Sequence, residues 1–128
     1  MKNKDGFFRL RYADLASLGG LGSNPVCSAT VIAHTIREDR KIGVCNSSNE
    51  FEAIQKAVEE ATSVSFDVSR QAIVLNSSNE RGEYQATILA RVGEANYVGH
   101  GADKNLPKAL GNAFINIANQ HQAESFPA

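Results

Sequence analysis

The spacing of hydrophobic and polar positions changes several times along the chain, and each change marks an element. Phe8-Arg9-Leu10-Arg11-Tyr12 alternates apolar with basic, which predicts a strand with one wet face. Leu18 to Pro25, rich in glycine, predicts a flexible loop. Val26 to Ile36 carries many β-branched residues and is expected to form a strand buried on both faces. A polar turn at Arg37-Glu38-Asp39 then returns the chain through Lys41-Ile42-Gly43-Val44-Cys45. After it the period lengthens: Phe51, Ile54, Ala57, Val58 and Ala61 form one helical stripe. Asn49 is placed to cap it, with Glu52 three residues on.

A second round follows. Val64 to Leu75 is strand-like, with Phe66 and Val68 alternating before Ile73-Val74-Leu75. Tyr84 to Val92 alternates on a β period, Gly93-Glu94 turns the chain, and Asn96 to Gly99 comes back. His100 to Lys104 is expected to be a short glycine-containing loop. Asn105 caps a second helix with Leu106, Ala109, Leu110, Ala113, Phe114 and Ile117 on one side, Pro107 falling in its first turn. The tail from Gln120 to Ala128 is expected to fray.

The pentapeptide NSSNE occurs at Asn46–Glu50 and at Asn76–Glu80, but the first copy opens a helix and the second lies between strands. The two are turn chemistry in different settings. The internal repeat lies elsewhere. Ala29-Thr30-Val31-Ile32-Ala33 matches Ala86-Thr87-Ile88-Leu89-Ala90, and Gly43, Asn49, Ala53 and Ala57 match Gly99, Asn105, Ala109 and Ala113. The chain is therefore expected to be α+β, two pseudo-symmetric βββα units packed as one two-layer domain. The first unit spans 7–62, the second 64–120, and a tail 121–128 follows.

Composition narrows the function. The length of 128 residues suits one domain with a real core, and 42% hydrophobic with 21% charged residues is ordinary for a soluble globular chain. A formal net charge of −1 gives no global field to recruit nucleic acid or a membrane surface. No apolar run approaches the roughly 18 residues of a membrane span, and no apolar stretch follows the basic start as in a signal peptide. A cytoplasmic location is expected, so the Asn-x-Ser triplets are not glycosylation acceptors. Cys27 and Cys45 lack metal or redox spacing and are expected to be small buried hydrophobes. The three histidines, His34, His100 and His121, share no ligand spacing. With no nucleophile elbow or acid–base constellation either, an enzyme is not expected, nor a cofactor or metal.

A helix N-terminus presents unpaired N–H groups and the positive end of a dipole, so the paired starts at Asn49 and Asn105 are candidate anion sites. Around the second start runs Gly99-His100-Gly101-Ala102-Asp103-Lys104-Asn105-Leu106, continuing to Ala113-Phe114-Ile115-Asn116-Ile117-Ala118-Asn119. This stretch resembles the C-terminal segment of the regulatory domain shared by 2-isopropylmalate synthase and citramalate synthase. Gly99, Gly101 and Asp103 match that family's pattern, Asn105 stands for its second acid, and Phe114 for its tyrosine. The doubled βββα organisation matches as well, over Phe8 to Asn119. The family's first loop, by contrast, has two glycines and a proline that are absent from Ser47-Ser48-Asn49-Glu50-Phe51.

The resemblance implies a non-catalytic, ligand-sensing homodimerisation domain that binds a branched-chain amino acid and regulates a separate catalytic synthase barrel. The ligand-binding residues it implies are Ser47, Ser48, Asn49, Phe51, Ile54, Gly99, His100, Gly101, Asp103 and Leu106. Gly101→Val is then expected to abolish binding without unfolding the chain. Either a domain cut from a longer protein or a free-standing relative fits, and the methionine start favours the latter. Two alternatives stand beside it: a double-stranded RNA-binding-like βββα module, and an interaction scaffold with no ligand. The RNA reading is weakened because Lys104 and Lys108 share their region with Asp103, while the other unit offers Glu50 and Glu52.

Overall fold

A computed structural model describes residues 8–18, 26–35, 39–47, 49–68, 73–76 and 81–125. The expected loop across 19–25, the tip of the first hairpin at 37–38 and most of the second NSSNE lie outside the described residues. The element order is β1 (Phe8–Leu18), β2 (Val26–Thr35), β3 (Arg40–Ser47), α1 (Glu50–Thr62), β4 (Ile73–Asn76), β5 (Tyr84–Val92), β6 (Ala95–Asp103) and α2 (Leu106–Ser125). Two antiparallel sheets result, ordered β1-β2-β3 and β4-β5-β6. The chain is thus an α+β fold in which a βββα unit occurs twice within one domain.

The repeat read in the sequence is a repeat of burial. Ala29, Val31 and Ala33 of β2, like Ala86, Ile88 and Ala90 of β5, face the interior. Ala53, Ile54, Ala57 and Val58 of α1 correspond to Ala109, Leu110, Ala113 and Phe114 of α2, all 0% exposed. Each large side chain buried this way contributes about 1.5–3 kcal/mol. Close approach of helix to sheet depends on one matched pair, Gly43 and Gly99. A Cβ at Gly43 would overlap the Ala57 carbonyl oxygen, and one at Gly99 would overlap that of Ala113. The units meet through α1 against α2 and through α2 against β1, where Gly111 lies beside Leu10 and Ala13. Phe66 and Phe114 pack with ring centroids 5.2 Å apart. The Asn119 amide clasps the backbone of Phe8, accepting from its N–H at 2.8 Å and donating to its carbonyl at 3.0 Å.

Four expectations are corrected. Strand β2 is buried on one face only: Cys27, Ala29, Val31 and Ala33 are inside while Ser28, Thr30 and Ile32 are part-exposed. Its β-branched residues fit a pleated surface whether or not both sides are covered. The described part of Val64 to Leu75 is mostly not ladder. Phe66 donates its N–H to Glu59 at 2.8 Å and accepts from Gln55 at 2.9 Å, so α1 side chains satisfy an extended segment. Among the described residues, 64–68 reach the second sheet through a bridge from Asp67 to Arg91, and the ladder is described over β4, Ile73–Asn76. His100 to Asp103 is strand rather than loop, because the glycines there face the helix instead of turning the chain. Finally, α2 continues to Ser125. Its last turns are held by Gln120 donating to Val98 O at 2.8 Å and by Tyr97 Oη donating to Glu124 at 2.9 Å. Neither helix is long and apolar enough to cross a membrane.

Candidate functional site

Both helix starts are capped by the chain's own side chains. At α1, Asn49 Oδ1 accepts the Glu52 N–H at 3.0 Å and the Asn49 carbonyl accepts from Ala53 at 2.9 Å. The Ser47 hydroxyl donates to Glu52 Oε1 at 2.8 Å and accepts the Asn49 N–H at 3.2 Å. Glu50 and Glu52 add negative charge to the first turn, complementing the dipole that a ligand carboxylate would otherwise use. At α2, Asn105 Oδ1 accepts from Lys108 at 3.2 Å, and Asp103 Oδ1 accepts the Asn105 N–H at 2.8 Å. The Ala109 N–H goes to the Asn105 carbonyl at 3.0 Å. Pro107 brings no N–H at all, so this start has few donors to offer an anion.

The residues singled out from the sequence separate into groups. His100 and Gly101 line a cavity of about 350 Å³ together with Asn76, Gln85, Ala86, Thr87 and Ala102, on the β4-β5-β6 sheet. His100 Nδ1 lies 3.2 Å from Thr87 Oγ1. Ser47, Asn49, Phe51, Ile54, Asp103 and Leu106 do not line that cavity, and Ser48 lies outside the described residues. Ile54 is wholly buried in the core, where it cannot wall an open pocket. Gly101 is a packing position: a Cβ there would overlap the Ala109 carbonyl oxygen and lie 2.5 Å from the Ala113 nitrogen. Gly101→Val would therefore damage the fold, contrary to the expectation of a clean binding variant. Asn76, Gln85 and Thr87, the polar remainder of the cavity lining, gave no sequence signal because each belongs to a separate strand position in an unremarkable run.

A different set of residues stands out on the outward faces of the sheets. Tyr12, Ile42 and Val44 on the first sheet, and Val74, Leu89 and Val98 on the second, are between 43% and 54% exposed. A solvated antiparallel sheet face is ordinarily polar. The signal was present in Lys41-Ile42-Gly43-Val44-Cys45, where glycine takes the inward position and the apolar residues on either side must point out.

Sheet edges also differ. The outer edge of β6 is covered by a row of amides one helical turn apart on α2. Asn112 donates to Ala102 O at 3.5 Å, Asn116 accepts from the His100 N–H at 3.1 Å, and Gln120 donates to Val98 O. At the far end of α2, Tyr97 is 5% exposed, donates to Glu124, and meets His121 edge-on at 6.0 Å between centroids. Burial, the hydrogen bond and the Glu124 charge together raise the Tyr97 pKa above its ordinary value. A cavity of about 380 Å³ adjoins this cluster, lined also by Glu94. Among the described residues no group of three or more His, Cys, Asp or Glu side chains is arranged to hold a metal, and both cysteines are free thiols. No protein-family model matches the chain, and no curated protein matches its sequence significantly.

Proposed function

We propose that this chain is a binding module that acts by self-association rather than by chemistry, as a regulatory dimerisation domain does. The observation that carries the reading is the row of large apolar side chains on each outward sheet face, centred on Ile42 and Val44 in one and on Leu89 and Val98 in the other. Exposed apolar surface of this kind marks interaction sites in soluble proteins. Mass action supplies the test: a self-associating chain melts at a temperature that rises with its own concentration. A melting temperature constant from micromolar to millimolar protein would refute the reading.

Sensing of a small amino or hydroxy acid is the second reading, and the His100 cavity is the observation in its favour. Its lining holds no Asp, Glu, Lys or Arg, and it offers amide, hydroxyl and imidazole groups to a ligand. The capped helix starts make this cavity, rather than the helix N-termini, the better place for such a ligand. The family likeness supports the arrangement of strand, glycines and helix more than the ligand. Gly99, Gly101, Asp103, Asn116 and Asn119 each have a structural task in joining β6 and β1 to α2. Leucine, isoleucine, valine and related acids should be screened by thermal shift, with His100→Ala as the control. A shift that survives this substitution would place the ligand elsewhere, and flat curves throughout would leave self-association alone.

A further inference from the structure

Repetition makes the two halves comparable position by position, and one difference between them concerns an open sheet edge. In the second half, α2 presents Asn112, Asn116 and Gln120 to the edge of β6, occupying the backbone groups of Ala102, His100 and Val98. The equivalent strand in the first half is β3, with Asn46, Val44 and Ile42 at those positions. The equivalent α1 positions hold Lys56, Glu60 and, beyond the helix, Val64. Neither Lys56 nor Glu60 reproduces the amide row. Strand β1, at the other side of the same sheet, is clasped by Asn119 at Phe8, and β4 is described over Ile73–Asn76. Edge strands left long and apolar are templates for pairing with another strand, and proteins ordinarily cover them. On β3 the described cover is one weak contact, Cys45 Sγ to Asn46 O at 3.5 Å.

We infer that β3 is a pairing edge for a second copy of this chain, joining two three-stranded sheets into one of six strands about a two-fold axis. The inference rests on the self-association reading above and adds to it one contact, at the edge of the first sheet beside Ile42 and Val44. Val44 and Ile42 correspond to His100 and Val98, whose outward backbone groups meet α2, so the N–H and C=O groups of Ile42 and Val44 point to the open edge. A two-fold axis through Gly43 overlaps the whole strand. Ile42 then lies opposite Val44 of the other copy and Arg40 opposite Asn46, so apolar side chains pair and no like charges meet. Gly43 sits over Ala57, which brings the two α1 helices side by side and antiparallel beneath the axis. Lys56 and Glu60 are both exposed on α1 at the positions that face this edge in α2. Across the axis each Lys56 approaches the other copy's Glu60. An isologous contact repeats that attraction twice.

Sedimentation equilibrium on the wild type and four variants tests this. Val44→Pro removes an edge N–H that no described ladder bond needs, and proline is tolerated on edge strands. It is expected to give a monomer where the wild type is dimeric. Lys56→Glu and Glu60→Lys should each weaken the dimer by about three- to ten-fold, as exposed ion pairs do when reversed. The double swap Lys56→Glu with Glu60→Lys should restore wild-type affinity, a result that loss of folding cannot mimic. A dimer that survives Val44→Pro, or single reversals without rescue by the double swap, overturns the β3 edge while leaving self-association standing. A wild type that is monomeric throughout overturns both.

Discussion

Substituting Gly43 by alanine probes the joint on which both units are built. The added Cβ would lie 2.8 Å from the carbonyl carbon of Ala57 and 2.9 Å from the nitrogen of Ala61, and closer still to the Ala57 oxygen. All three are backbone atoms inside a helix, so no side chain can rotate away. Regaining an ordinary contact of 3.4 Å with the Ala57 oxygen requires α1 to withdraw from β3 by about 1.6 Å or more, opening the layer that holds Ile54 and Val58. Overpacking of this kind costs about 3 kcal/mol, offset by up to about 1 kcal/mol from the stiffer unfolded chain. At roughly 3 °C per kcal/mol for a chain of this size, the net loss lowers Tm by about 6 °C or more. Gly82→Ala is the natural comparison. Its φ of +72° is unfavourable to alanine, but nothing lies within 4 Å, and about 1 kcal/mol is expected. Differential scanning calorimetry on both variants decides the matter. If Gly43→Ala melts no lower than Gly82→Ala, close helix–sheet approach is not what fixes the glycine, and the explanation of Gly99 and Gly101 falls with it.

Other outcomes follow from single sites. Asn49→Ala and Asn105→Ala should each cost about 1 kcal/mol in chemical denaturation, because each removes the acceptor for a first-turn N–H. Ser63, which ends α1 in the left-handed region at φ 61°, should gain about 0.5–1 kcal/mol on replacement by glycine. For Tyr97, the folded pKa lies above the unfolded one, so the folded state holds the phenolic proton more tightly. That contribution is complete below about pH 10 and is lost as pH rises through and beyond this value; Tyr97→Phe should flatten the alkaline slope of a pH-dependent melting series. Arg91→Ala should change stability by less than about 1 kcal/mol. Its ion pair with Asp67 at 3.0 Å is exposed on both sides, and the backbone bonds between these residues remain.

Much of the architecture was legible because it follows from periodicity. The helical stripes at Phe51–Ala61 and Leu106–Ile117, the β alternation at Tyr84–Val92, and the matched glycines and alanines all express one-sided burial, which leaves a trace in every residue. The mistakes share a cause: local sequence does not say what an element packs against. Gly99 and Gly101 suggest a loop until α2 is seen lying on them. Val64 and Phe66 suggest a ladder, although Gln55 and Glu59 take up the Phe66 backbone groups from a helix. The candidate site was legible only in part. His100 and Gly101 do share a cavity, but its other polar groups come from β4 and β5, and no spacing rule connects Asn76 to Thr87. Asn116 and Asn119 were visible as parts of a helix motif. Their work, covering the edge of β6 and clasping Phe8, depends on register and orientation that a linear pattern does not carry.

Sedimentation velocity of the wild-type chain from micromolar to millimolar concentration tests self-association most directly. A reversible, concentration-dependent species of twice the 13.8 kDa chain mass is expected. A single species of 13.8 kDa at every concentration would contradict it.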